Sequence, residues 1–266
     1  MTGISPVTVW NGIQPTVDPA FDLSTNLVPV RKLMFATTPR CGSHFAGSQI
    51  YATRQGGLPL EYFNPVHFAA WQTRTGAVTN HATLSQIVRQ RTGPNACFAA
   101  KLHWPHLQGM LDAGIAGWLT GAVWVRVERL DTLAQAVSWE IATQTGVWIH
   151  GQKAWKRPVF QADRITARLG AILYQRHKWD RFFSGAGIVP YILIYENLCA
   201  DPARNIAPIL ELLPAAVPRA NPWPALPDTR LQSNRRNADW ISRYLETLIN
   251  APPTQPVGKA ALTTQT

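Results

Sequence analysis

Residues 37–45, "TTPRCGSHF", follow the apolar run Leu33-Met34-Phe35-Ala36 and lead into a helical pattern. A strand, a tight loop and a helix in that order aim backbone N–H groups and a positive helix end at one point, which suits an anion such as phosphate. Thr38, Pro39, Arg40, Cys41, Gly42, Ser43 and His44 are the loop residues in question. An ATP-type loop would read G-x-x-x-x-G-K-[ST], its lysine reaching the outer phosphates and its hydroxyl holding magnesium. Here Gly42 is followed by Ser43 and His44, so that lysine and that metal-holding hydroxyl are both missing. Taken alone, the loop is equally compatible with an ordinary βα turn.

The pattern T-x-P-R-x-G-S-x is similar to the 5′-phosphosulfate loop of sulfotransferases that use 3′-phosphoadenosine 5′-phosphosulfate. The stretch "AVWVRVER" running into "LDTLAQAVSW" resembles their 3′-phosphate segment, which implies that Arg129 and Ser138 share that phosphate. Asp131 and Ser138 lie two helical turns apart on one face, so Ser138 can reach back along the face that begins beside Arg129. More closely, the chain resembles the bacterial trehalose 2-sulfotransferase family and related sugar sulfotransferases. The likeness rests on "TTPRCGSHF", "PLEYFNP", "FAAKLHWPHL", "VRVERLDTLAQAVSWEIATQTGVW" and "LQSNRRNADWISRYLE", in the family's order. It implies a sulfotransferase fold, a phosphosulfate co-substrate, and a carbohydrate or glycolipid acceptor.

Sulfuryl transfer needs positioning, neutralisation of the leaving group and a base for the attacking hydroxyl; that logic requires no metal. Arg40 sits where many sulfotransferases place a lysine that stabilises the bridging oxygen, and a guanidinium can bind there but cannot donate a proton at neutral pH. Two residues compete for the base. Glu61, in "PLEYFNP", matches the glutamate the trehalose family is thought to use, whereas His103, in "KLHWP", resembles the histidine of the animal cytosolic enzymes. Histidine chemistry favours His103, because a glutamate needs burial to raise its pKa toward neutrality. The resemblance is closer around Glu61 and puts Glu61 first. Lys101 at its strand end would point toward the sulfuryl group or the acceptor. The resemblance also implies that the Arg235 and Arg236 pair closes over the nucleotide. At least one of Trp148 and Trp155 is expected near the acceptor, since both follow the expected nucleotide-binding helix and indoles form platforms for sugar rings.

The elements that would position these groups are an alternation of short apolar runs and longer helical patterns, which argues for a parallel sheet with crossover helices. Strands are expected at Lys32–Thr37, Ala96–Leu102, Ala122–Val127 and Pro190–Tyr195. Helices are expected at Gly42–Arg54, Pro105–Ala113, Asp131–Thr145, Ala162–Phe183, Ala203–Leu213 and Ala238–Ile249. The expected fold class is therefore α/β, a P-loop-like parallel sheet flanked by helices. Residues 1–30 read as an irregular extension lying on the domain, 31–250 as the sulfotransferase domain, and 251–266 as a disordered tail.

With 266 residues, of which 46% are hydrophobic, the chain can bury a full core. Its formal charge of +10 suits anionic ligands. The basic residues are scattered and no nucleic-acid module is recognisable, which disfavours a basic, non-catalytic nucleic-acid-binding protein. An ATP-dependent small-molecule kinase would share the loop, but the missing lysine counts against it. Cys41, Cys97 and Cys199 lack metal-ligand spacing and are expected to be reduced thiols. Neither a secretory signal nor a transmembrane segment is recognisable, so a cytoplasmic location is expected; self-association into a homodimer is left open.

Overall fold

A computed structural model describes residues 14–23, 25–149, 151–217 and 235–250. Strands β1 (Arg31–Thr37), β2 (Cys97–His103), β3 (Val123–Glu128) and β4 (Tyr191–Ile194) form a parallel sheet in the order β2-β1-β3-β4. The helices are α1 (Gln14–Val17), α2 (Ser43–Ala52), α3 (Pro65–Thr75), α4 (Asn80–Arg91), α5 (Trp104–Asp112), α6 (Thr132–Thr145), α7 (Ala162–Ala186), α8 (Tyr195–Ala200), α9 (Pro202–Leu210) and α10 (Arg235–Ile249). This is the α/β sheet expected from the sequence. Each strand agrees to one residue at either end, and Tyr195, expected to close the last strand, instead begins α8.

The strands read as apolar runs because both faces of the sheet are covered. On one side Leu33 and Phe35 of β1 pack with Ala46 and Ile50 of α2 and with Leu198, Ile206 and Ile209 of α8 and α9. On the other, Met34 and Ala36 face Trp71, Ile87, Leu107 and Trp179, from α3, α4, α5 and α7. A third cluster joins Val137 of α6, Ile172 of α7, and Trp240 and Tyr244 of α10.

Helices α3 and α4 were not expected, although their ends carry recognisable signals. Asn64 accepts a hydrogen bond from Val66 N (3.1 Å), Pro65 takes the first helical position, and Gly76 closes α3 at φ 68°. Thr79 caps α4 through Ala82 N (3.1 Å). Within the extension before β1, the described residues include α1 and a single 3-10 turn at Pro19–Phe21. Fully buried Arg91 donates to Thr16 O (3.2 Å) and Asp18 O (3.0 Å) and pairs with Asp22 (3.0 Å), so α1 is tied to α4. Residues 1–13 and the tail 251–266 lie outside the described residues. Among the described residues, no helix is long and apolar enough to cross a membrane.

Candidate active site

The chain runs from β1 to β2 on one side and then crosses back to place β3 on the other side of β1. Strand order thus reverses at β1, and in open parallel sheets the crevice beyond the strand ends at such a point is where ligands bind. The loop 38–42 leaves β1 there, and the turn 129–131 leaves β3 beside it.

In the loop, Arg40 and Gly42 both take left-handed backbone, with φ 64° and 92°. A Cβ on Gly42 would lie 2.1 Å from the Tyr195 ring, so glycine is required for space as well as for backbone angle. Ser43 opens α2 directly after the loop, so the N-terminus of the helix lies at the loop. The Arg40 side chain leaves the loop: Nε donates to Ser138 Oγ (3.0 Å), and Nη1 donates to the carbonyl of Trp148. Burial first, and Arg129 second, bring its pKa down to about 10, so it stays charged at neutral pH. Cys41 is fully buried, which raises its pKa and keeps it a thiol; all three cysteines are free.

Arg129 lies across the crevice. Its guanidinium stacks on the Tyr195 ring (5.1 Å) and Nη1 approaches Arg40 O (3.5 Å), while buried Nε has no hydrogen-bond partner among the described residues. Glu196 accepts from Leu130 N (3.1 Å) and Asp131 N (3.3 Å), fixing the turn that presents Arg129. Arg129 and Ser138, paired by the sequence reading, thus both adjoin Arg40. The unpartnered Nε, the glycine-tight loop and the N-terminus of α2 fit a ligand carrying phosphate groups.

A second group of residues gathers at the end of β2. An isolated parallel bridge joins Leu60 to Ala100, with Lys101 N donating to Leu60 O (2.8 Å), so the next residue, Glu61, is set against β2. Its Oε1 lies 3.7 Å from Lys101 Nζ, 3.8 Å from His103 Nε2 and 3.8 Å from His44 Nε2. The two residues that compete for the base therefore stand side by side, with Lys101 against Glu61.

Hydrogen bonds assign the histidine tautomers. Thr37 Oγ1 donates to Leu102 O (2.9 Å) and so must accept from His103 Nδ1 (2.8 Å), leaving the lone pair of neutral His103 on Nε2, facing Glu61. His106 Nδ1 accepts from His103 N (3.2 Å), and His67 Nδ1 donates to Glu61 O (2.7 Å).

Burial alone would raise the pKa of Glu61, but His103, Lys101 and His44 facing it outweigh burial and hold it below the usual carboxylate range. Burial depresses His103 and, to about 3, His106; the start of α5 directly after His103 adds a positive helix end. His44 is also depressed, by desolvation first and Lys101 second, although 44% of its side chain reaches solvent and screens both effects. At neutral pH the histidines are therefore neutral, and the permanent counter-ion of Glu61 is Lys101, itself lowered by burial and 1% exposed.

The remaining candidates are more loosely connected. Trp148 offers its carbonyl to Arg40, and its N–H, with that of Ile149, donates to Gln152 Oε1 (2.7 and 3.0 Å). Trp155 is 65% exposed but fixed, its Nε1 donating to Gln144 O (2.7 Å) and its ring lying over Gly146. Arg235 and Arg236 are exposed in the first turn of α10, which packs on α6; residues 231–234 of that stretch lie outside the described residues. The sequence reading missed Thr37, His67, His106, Tyr195 and Gln135. Only His106, one helical turn beyond His103, carried a local signal.

Fold and site together define a P-loop-like α/β protein in which a glycine-tight loop after β1 stands beside a cluster of Glu61, Lys101 and histidines. The family model described as Stf0 sulphotransferase matches residues 33–247, and the chain belongs to that family, whose sulfotransferase fold the sheet and helices adopt. It is similar to trehalose 2-sulfotransferase from Mycobacterium tuberculosis (strain ATCC 35801 / TMC 107 / Erdman), with 32% identity over 125 residues, 46% of this chain and 45% of the relative. Similarity to trehalose 2-sulfotransferase from Mycolicibacterium smegmatis (strain ATCC 700084 / mc(2)155) is 25% over 168 residues, 57% of this chain and 61% of the relative. The matched part thus spans about half of these curated relatives.

Proposed function

We propose that the protein transfers a sulfuryl group from 3′-phosphoadenosine 5′-phosphosulfate to a hydroxyl of a carbohydrate or glycolipid. The observation that carries this reading is the placement of Glu61, against Lys101 and two histidines, beside a loop whose arginine adjoins Arg129 and Ser138. The names of both curated relatives support a sugar hydroxyl as acceptor.

In this reading the loop N–H groups and Arg40 hold the 5′ side of the donor, and Arg129 with Ser138 holds the 3′-phosphate. The donor supplies the sulfuryl group and leaves as the bisphosphate. His103 Nε2 and Glu61 Oε1 are both proton acceptors 3.8 Å apart, so one hydroxyl oxygen can stand about 2.8 Å from each. As its O–H bond breaks and its oxygen bonds sulfur, the proton passes to Glu61, kept in its basic form by Lys101. The facing Lys101 and histidines lower the basicity of Glu61, which counts toward His103; Glu61 is still placed first because its Oε1 also faces His44, the member of the cluster that reaches solvent and can carry the proton away. Arg40 offsets charge on the departing phosphate.

The test is mass spectrometry of purified protein incubated with phosphosulfate donor and a panel of disaccharides and glycolipids. A product heavier by one sulfo group is expected. Failure with every acceptor, together with phosphorylated product from ATP, would overturn the reading.

A further inference from the structure

Helix α7 contributes two side chains to the crevice that neither the motifs nor the proposed chemistry uses. Trp179 Nε1 donates to Thr37 O (3.1 Å), at the root of the loop. One turn earlier, Arg176 donates through Nη2 to Arg129 O (2.6 Å) and Gln135 Oε1 (3.2 Å), and through Nη1 to Thr132 Oγ1 (3.1 Å).

Arginine can only donate, so it forces the oxygen of the Gln135 carboxamide toward itself and the Nε2 donors the other way. They reach Thr38 Oγ1 (2.8 Å) and Pro39 O (2.7 Å). Gln135 is fully buried and cannot turn over without opposing its NH₂ to the guanidinium and its oxygen to the Pro39 carbonyl. Thr38, itself buried, is thereby held through its hydroxyl oxygen at the start of the loop after β1.

We propose that Arg176 is a positioning residue that locks the two phosphate-binding halves of the crevice together: directly at the Arg129 turn, and through Gln135 at Thr38 and Pro39. This rests on the nucleotide reading above only for the identity of the ligand; the mechanical coupling stands apart from it.

The test uses the full chain with Arg176→Met, which keeps the apolar stem and removes the donors, and Arg176→Lys as the conservative variant. Hydrogen exchange is followed by mass spectrometry at 38–42 and at 129–132, and calorimetry is run with 3′-phosphoadenosine 5′-phosphate and adenosine 5′-phosphate. Arg176→Met is expected to speed exchange in both segments and to weaken bisphosphate binding about ten-fold or more, with partial recovery in Arg176→Lys. Its effect should be smaller in a Gln135→Leu background, because the relay is already cut. Wild-type protein that binds neither nucleotide would refute the donor assignment, while the exchange result would still decide the coupling. Exchange that rises in only one segment or in neither overturns the inference. So does a folded Arg176→Met protein with wild-type affinities, or a loss that is the same size in the Gln135→Leu background. If Arg176→Met does not fold, Arg176→Lys and Gln135→Leu are compared alone, and unchanged exchange in both is the refuting result.

Discussion

Replacing Glu61 by glutamine separates the two roles of one carboxylate. Shape and hydrogen bonding are kept, while the charge 3.7 Å from Lys101 Nζ is removed. At an effective dielectric constant near 20, a pair at that distance interacts by about 4 kcal/mol, and removing one partner of a buried pair costs about 3–5 kcal/mol. Glu61 keeps 17% exposure, so the lower end, about 3 kcal/mol, is expected. Proton release from Lys101, already lowered by burial, limits the loss further. Turnover should fall by about 100-fold or more, because the proton acceptor is gone, while nucleotide affinity is retained. Initial rates at saturating donor, calorimetry and chemical denaturation read the three quantities separately. The double variant Glu61→Gln/Lys101→Met removes the stranded ammonium and should recover much of the stability but none of the turnover. Near-normal turnover in Glu61→Gln would refute the assignment, transfer the base to His103 and leave Glu61 as counter-ion.

Arg129→Ala should weaken 3′-phosphoadenosine 5′-phosphate binding about ten-fold or more, since charge-assisted hydrogen bonds contribute about 1.5–3 kcal/mol; equal wild-type affinities for the bisphosphate and adenosine 5′-phosphate would remove the 3′-phosphate assignment. Gly42→Ala should displace the Tyr195 ring, 2.1 Å from the new Cβ, and weaken the same binding by calorimetry. Stability should fall with acidification from about pH 6.5. Buried His106 and His67 and partly buried His103 have folded pKa values below the unfolded one, so the unfolded chain binds more protons, each fully developed difference contributing about 1.4 kcal/mol per pH unit; Glu61, also lowered, adds loss at still lower pH. Denaturation midpoints that stay flat from pH 7.5 to 5 would contradict this. Thr37→Val should free the His103 tautomer and lower turnover about ten-fold with donor affinity retained, as read by rates and by nitrogen NMR of the histidines.

The sheet was legible because its strands are covered on both faces and therefore apolar without alternation. The loop was legible because close backbone approach demands small residues at fixed spacing. Helices α3 and α4 were not, since their buried faces include His67, Thr83 and Arg91, which no apolar period reveals. The meeting of Glu61 with Lys101 and His103 depends on the bridge from Leu60 to Ala100, forty residues apart, and long-range pairing leaves no local trace. The resemblance supplied Glu61 and His103 as alternatives; the fold makes them neighbours. Arg176 reads in sequence as one more polar position on a long helix, and its role emerges only from where α7 crosses α6.

Thr37 shows how the two halves of the site depend on one another. The register of β1 on β2 sets it opposite His103, and every polar atom it offers there is committed. Its carbonyl receives Trp179, its hydroxyl donates to Leu102 O, and the same oxygen accepts from His103 Nδ1. The next residue, Thr38, begins the loop after β1. Movement of the loop therefore changes the orientation and tautomer of His103, and through His103 the electrostatic surroundings of Glu61. Buried Trp179 resists such movement, since it is stacked on Phe183 at 5.6 Å and wedged against Trp124. The aromatic cluster thus keeps the loop after β1 and the Glu61–His103 pair in one fixed relation, which the proposed transfer between two positioned groups would require.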